Sequence, residues 1–165
     1  MRIVLASISF YPSHGGVATS LYYMAQHLKR LGHEPIIFVG RHENHLSSYE
    51  EMDGIGVFRY TQPLSKWGSL FRPFLHFVSA YRSWRRVCER GTVDAVWSHY
   101  APVGYAVHKA GFDGPIIYTF HVLMNSFLHE RMVKLKKGSL QSRIRCLLYM
   151  INYSQNAYFE RSIVR

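Results

Sequence analysis

The start of the chain joins a short apolar run to a helical pattern through two adjacent glycines. Residues 3–8 are largely aliphatic and precede a proline, which is typical of a buried strand. From Val17 onward, apolar residues recur at the spacing of one helix face. Gly15 and Gly16 lie between these patterns, where glycine lets the backbone approach a ligand closely. Because a helix N-terminus favours anions, the unit predicts a phosphate site; the plain alternative is a turn without a ligand.

The alternation of strand and helix patterns continues along most of the chain. Short apolar runs predict strands at residues 2–6, 35–39, 56–60, 93–98 and 115–120. Helical spacing predicts helices that begin at Val17 and cover residues 71–90, 103–110 and most of 125–165, with a break near Gly138. The polar segment 40–54 is predicted to be a loop. This order predicts an α/β fold, a Rossmann-like parallel sheet with helices on both faces.

Composition limits the chain to one compact, folded domain. Its 165 residues suit a single core, and a hydrophobic fraction of 48% argues against disorder. Cys88 and Cys146 match no metal or disulfide spacing, so both are expected to be reduced thiols. No run reaches the roughly 18 apolar residues of a spanning helix, and no signal-peptide cleavage pattern follows the first residues. The expected location is the cytoplasm, including the inner face of the membrane.

Charge is distributed unevenly along the chain. The net charge is +10, but five of the ten acids lie within residues 34–53 and the second half is strongly basic. Basic amphipathic helices with aromatic residues suit an anionic membrane surface or an acidic acceptor. The residues predicted to form such a patch are Lys66, Arg72, Arg82, Arg86, Arg131, Lys134, Lys136 and Lys137. The alternative is a solvated basic face behind an aromatic core stripe of Phe74, Phe77, Tyr81, Trp84 and Cys88.

Polar side chains follow several predicted strands at the point where each strand ends. His99 follows the fourth strand, and His121 follows the fifth. Parallel strands place their carboxyl ends at one edge, where ligands bind, so these histidines and the glycine loop are expected together. A single histidine is more often structural, but the combination favours a site. No acidic pair follows a strand, so neither a metal nor another cofactor is expected.

Four motifs in this order carry a family resemblance. They are Phe10-x-Pro12-x-x-Gly15-Gly16-Val17, Gly32-His33-Glu34, Asp94-x-x-x-Ser98-His99 and Thr119-Phe120-His121. Together they resemble the N-terminal domain of retaining glycosyltransferases with the GT-B fold. The most similar group is glycosyltransferase family 4 (group 1 type), which includes bacterial lipid and cell-envelope sugar transferases. Glu160 lies where that family has a glutamate in a late helix.

The resemblance implies transfer of a hexose from a nucleotide sugar, with retention, to a glycan or lipid acceptor. It places Gly15 and Gly16 against the donor diphosphate and makes His121 the catalytic residue, near the reacting carbon of the sugar. It also implies that this domain holds most of the acceptor. The acceptor-binding candidates are Tyr11, His14, Ser98, His99, Thr119 and Asn125.

The chain departs from the family in one respect, since members carry a second domain that binds the nucleotide. We therefore expect residues 1–165 to be the N-terminal, acceptor-side domain of a two-domain enzyme, inactive without that partner in cis or in trans. One alternative is a non-catalytic interaction or regulatory domain derived from a transferase. Dinucleotide binding is disfavoured because the chain lacks Gly-x-Gly-x-x-Gly and Arg41 follows the second strand. Nucleic-acid binding is disfavoured because no known module is present.

Overall fold

The described part of the chain contains six strands and four helices. The computed structural model describes residues 1–13, 15–62, 71–119 and 140–163. The elements in chain order are β1 (Arg2–Ala6), α1 (Gly16–Arg30), β2 (Glu34–Arg41), β3 (Tyr49–Met52), β4 (Ile55–Thr61), α2 (Arg72–Cys88), β5 (Ala95–Ser98), α3 (Ala101–Lys109), β6 (Ile116–Tyr118) and α4 (Leu140–Ile163).

The strands form one mainly parallel sheet in the order β3-β4-β2-β1-β5-β6. The pairs β1–β2, β1–β5, β2–β4 and β5–β6 are parallel. Ala6 on β1 is in register with Phe38 on β2 and Ser98 on β5, and Ser98 with Tyr118 on β6. The predicted α/β fold with a Rossmann-like sheet is confirmed, and all five predicted strands are present.

The predicted loop at residues 40–54 is wrong in part, because it contains β3. This strand pairs antiparallel with β4 at the edge of the sheet. The turn between them is Asp53-Gly54, and both residues have positive φ, 52° and 70°. Two residues of positive φ match the right-handed twist of a hairpin, and Asp-Gly readily adopts them. The signal was present in the sequence, but the acidic residues of β3 concealed the strand.

Helices cover both faces of the sheet and form two cores. On one face, α1 packs on the central strands through Leu21 and Ala25, which meet Leu5, Ile37 and Val57. On the other face, α2 and α3 cover Val4, Phe38 and Val96. The long helix α4 packs outside α2 and α3. Among the described helices, none is both long and apolar enough to cross a bilayer.

The face that α2 buries differs from the aromatic stripe proposed as its core. The buried residues are Pro73, His76, Ala80, Trp84 and Val87, so only Trp84 belongs to both sets. Cys88 is an exposed free thiol, and Phe74 and Tyr81 are also exposed. Small residues such as Ala80 let α2 approach the sheet closely, which turns most of the larger rings toward α3 and α4.

Candidate functional site

Three segments meet at the carboxyl edge of the central strands. After β1, the Ser7 amide donates to the Phe38 carbonyl at 3.0 Å. After β5, the His99 amide donates to the Ala6 carbonyl at 2.7 Å. After β6, the Thr119 amide donates to the Ser98 carbonyl at 2.9 Å. The sheet therefore brings the start of the glycine-containing loop, His99 and Thr119 to one edge, as the sequence predicts.

The glycine loop leads directly into the open start of α1. Gly15 is the N-cap of the helix, and its carbonyl accepts the Thr19 amide at 3.0 Å. No side chain caps the helix, and its first turn contains no acidic residue. The first-turn amides therefore present a partial positive charge without an internal carboxylate to neutralise it.

Neither glycine is required by the packing of the described residues. A Cβ added at Gly15 or Gly16 would meet no atom of the described part of the chain within 4 Å. The φ of Gly15 is 173°, an extended value that any residue adopts. Both glycines are also exposed. The structure thus leaves open space at the helix start, as close approach by a ligand would need.

A buried arginine that the sequence analysis does not identify holds this loop in place. Arg59 on β4 is 1% exposed, and its Nη2 donates to the Tyr11 carbonyl at 3.0 Å. The same nitrogen pairs with Glu50 on β3 at 2.5 Å. The Asp53-Gly54 turn signal would have placed these two strands side by side. Arg59 joins the loop after β1 to the β3–β4 hairpin.

A second buried network lies beneath the loop and contains His76 of α2. Its Nδ1 is 3.0 Å from the Tyr60 hydroxyl, which donates to the Ser7 carbonyl at 3.4 Å. Its Nε2 is 3.5 Å from the Gln62 amide nitrogen. A neutral ring with its proton on Nδ1 satisfies all three contacts. Burial, followed by the charge of Arg72, lowers the pKa of His76 to about 4, so the ring is neutral at pH 7.

The residues after β5 and β6 are organised around Trp97. Its Nε1 donates to the Thr119 hydroxyl at 2.7 Å, and the His99 ring stacks on the indole at 6.0 Å with an interplanar angle of 17°. Ser98 is fully buried, and its hydroxyl donates to the Tyr100 carbonyl at 3.0 Å. Ser98 is therefore a turn residue in this structure, and its hydroxyl has no surface left for an acceptor.

Glu160 of α4 also contributes to this edge. Its carboxylate accepts a hydrogen bond from the Tyr118 hydroxyl at 3.2 Å, which ties α4 to the end of β6. Burial and the adjacent Glu160 raise the pKa of Tyr118, so the phenol remains protonated and donates.

The remaining candidates differ in where the structure places them. Tyr11 is half-buried and its ring meets those of Phe10 and Tyr22 edge-on. Arg72 and Arg82 are exposed on α2, whereas Arg86 donates to the Arg59 carbonyl at 3.1 Å and thus supports β4. Eight candidates lie outside the described residues: His14, Lys66, His121, Asn125, Arg131, Lys134, Lys136 and Lys137. In the described ranges, no group of three or more metal-binding side chains is present.

A comparison with protein-family models decides the family. Residues 14–156 match the model described as Glycosyltransferase Family 4. The chain belongs to this family. The match begins at the glycine loop and extends through most of α4, so the edge described above lies within it except for the first residues of the loop and Glu160. The family resemblance read from the four motifs is confirmed.

Solved structures show the same fold for this family 4 domain. A sucrose-phosphate synthase from Thermosynechococcus elongatus aligns with a TM-score of 0.57 at 13% identity, over 93% of this chain and 39% of that one. Another structure of that synthase gives a TM-score of 0.55 at 12% identity, over 79% of this chain and 69% of that one. An α,α-trehalose 6-phosphate synthase from Burkholderia multivorans gives a TM-score of only 0.47 at 14% identity, over 73% of this chain and 33% of that one, so the fold comparison rests on the two sucrose-phosphate synthase structures. No curated protein matches the chain significantly.

The family 4 domain spans about two fifths of the length of the full sucrose-phosphate synthase chain. At such low identity the likeness shows the fold alone. The sheet and helices described here thus correspond to one Rossmann-like half of a GT-B glycosyltransferase.

Proposed function

We propose that this domain forms the acceptor-side half of a retaining glycosyltransferase that takes a hexose from a nucleotide sugar. The observation that carries the proposal is the uncapped start of α1 beside two glycines that the packing of the described residues does not need. These glycines lie in a loop that follows β1, at the edge where His99 and Thr119 also lie. Membership of family 4 supports the assignment.

The chemistry of the site suits a diphosphate leaving group. Sugar transfer develops negative charge on the departing diphosphate, and aligned backbone amides stabilise such charge without proton transfer. A side chain at either glycine would occupy the space that the diphosphate needs. By family resemblance, His121 contacts the donor sugar near its reacting carbon.

The acceptor half of the site is proposed to include Tyr11 and His99. We propose a membrane lipid or an envelope glycan as the acceptor, because the exposed cations of α2 suit an anionic surface. The nucleotide is proposed to be held by a further domain in cis or in trans, since the matched synthase chain extends well beyond this fold.

Gly16→Val tests the proposal in the complete two-domain protein. Transfer from a panel of UDP- and GDP-sugars is measured, and turnover is expected to fall roughly 100-fold or more. Titration of this domain with inorganic pyrophosphate provides a binding measurement that does not require transfer, and Gly16→Val should weaken that binding as well.

Thr19→Val is the matched control, because Thr19 is exposed in the same turn of α1. It adds no bulk at the helix start and should leave turnover within about twofold of wild type. Since valine has better helix propensity than glycine, Gly16→Val should not lower the melting temperature. Undiminished turnover in Gly16→Val would refute the diphosphate assignment. If neither the wild-type protein nor Thr19→Val transfers sugar, the result would favour a non-catalytic domain derived from a transferase.

A further inference from the structure

A large aromatic groove lies away from the sheet edge, among the helices α2, α3 and α4. Its cavity volume is about 640 Å³. Aromatic rings from all three helices line it: Phe74, Phe77, Tyr81, Tyr105, Tyr158 and Phe159. Among the described residues, the others that line the groove are Lys109, Ser154 and Gln155. A pocket of this size with few polar groups suits an apolar ligand.

The rings form a floor and a rim. On the floor, Phe77 packs against Tyr105 at 5.6 Å and against Phe159 at 5.4 Å. On the rim, Phe74, Tyr81 and Tyr158 are 51%, 46% and 60% exposed. The fold therefore stabilises the floor but leaves half of each rim ring in water. A large contiguous apolar patch that stays exposed on a folded protein usually marks a binding site.

The charge around the groove selects the kind of occupant. The described side chains of the three helices carry more cations than anions, and Lys109 lines the groove itself. Of the other cations, Arg72, Arg82 and Arg161 are exposed, whereas Arg85 pairs with Glu89 and Arg86 donates to the Arg59 carbonyl. Glu160 is already bonded to Tyr118, and Lys109 lies over the Tyr105 ring at 5.3 Å. An occupant must therefore combine hydrocarbon with negative charge. Aromatic rings flanked by lysine and arginine are typical of protein surfaces at the bilayer interface.

Two other occupants fit less well. A glycan needs many hydrogen-bond partners of both kinds, and the described lining of the groove offers one amide, one ammonium group, one serine hydroxyl and three phenol hydroxyls, with no carboxylate among them. A second copy of the chain would bring two basic helical faces together at a net charge of +10 per chain, which opposes association.

We propose that this groove binds the hydrocarbon chain of an anionic membrane lipid, with the surrounding cations on the headgroups. The inference rests on the membrane part of the proposed function and is independent of sugar transfer. Burial of the rim rings in hydrocarbon lowers the free energy because it removes apolar surface from water. The attraction of Lys109 and the exposed arginines to anionic headgroups lowers it further.

The test measures binding to vesicles of phosphatidylcholine with 30% phosphatidylglycerol, and to vesicles of phosphatidylcholine alone. The double variant with Phe74→Ser and Tyr158→Ser should bind the anionic vesicles about tenfold or more weakly. Tyr23→Ser is the matched control, because Tyr23 is 63% exposed on α1, outside the groove, and this variant should change binding by less than about twofold. All substituted positions are exposed, so the variants should fold, which circular dichroism checks.

A reporter tryptophan locates the contact. Lipids brominated on the acyl chain should quench Tyr158→Trp beyond the quenching of the three native tryptophans, whereas Tyr23→Trp should show no such increase. Equal quenching of both reporters, or equal binding by the serine variants and the wild-type chain, would overturn the proposal. It would also be overturned by a dimer in sedimentation velocity that disappears in the double serine variant, since the groove would then be an interface between copies.

Discussion

At the scale of single residues, two buried polar side chains shape the site, and neither faces solvent. Arg59 fixes the loop after β1 through the Tyr11 carbonyl, and His76 connects α2 to Tyr60 of β4. Sequence patterns identify both positions only as parts of a strand and a helix. Their roles depend on contacts with residues 48 and 16 positions away, which periodicity does not report.

Arg59→Met should lower the free energy of unfolding by about 3 kcal/mol, because it leaves Glu50 and the Tyr11 carbonyl without their buried donor. Glu50 retains 34% side-chain exposure, which keeps the loss at the lower end of the range for buried pairs. Urea denaturation measures the change. Arg85→Met removes the exposed pair with Glu89 and should change stability by about 0.5 kcal/mol or less. Similar losses in both variants would contradict a special role for Arg59.

His76 should make stability depend on pH. Burial and then the charge of Arg72 lower its pKa from the ordinary 6.5 of histidine to about 4 in the folded chain, so the unfolded chain binds the proton more readily. Stability is therefore lost as pH falls from about 6.5 to about 4, by roughly 3 kcal/mol from this group. Unfolding of His76→Gln over this pH range should show a correspondingly shallower decline.

At the scale of elements, the sequence predicts what depends on local patterns and misses what depends on packing partners. The strands with aliphatic runs and the helices α1, α2 and α3 lie close to their predicted positions. The strand β3 was missed because Glu50 and Glu51 dilute its apolar pattern, although the Asp53-Gly54 turn marks it. The buried face of α2 was misassigned because residue size alone does not decide which side meets the sheet.

The packing of α3 gives an element-scale prediction. A Cβ added at Gly104 would lie 2.8 Å from Oγ of Ser98 and 2.9 Å from Cβ of Ser98. It would also lie 3.1 Å from Cδ1 of Ile163. Gly104→Ala should therefore destabilise the domain by about 1–3 kcal/mol, although alanine normally favours a helix. Gly16→Ala, where nothing lies within 4 Å, should preserve or raise the melting temperature. Thermal unfolding compares the two, and a Gly104→Ala variant as stable as wild type would show that α3 can shift away from β5.

At the scale of the whole molecule, the fold decides which charges are neutralised by a neighbour. On the β3–β4 hairpin, Glu50 pairs with the buried Arg59, and Arg86 of α2 donates to the Arg59 carbonyl. Arg72 and Arg82 of α2 and Arg161 of α4 are exposed. The sequence reveals the uneven charge along the chain, but only the fold shows which cations are left at the surface. These exposed cations favour approach to an anionic surface.

The two edges of the sheet have unequal capacity to add another strand. The β3 edge carries adjacent glutamates, which discourage pairing with a further chain. At the β6 edge, Ile117 is 51% exposed, and no strand among the described residues lies beyond it. Endless edge-to-edge growth requires two receptive edges in every copy, but the described strands offer one. If salt screens the net charge, self-pairing through β6 therefore closes at two copies, and concentrated solutions of the domain are protected from fibre formation by the acidic hairpin.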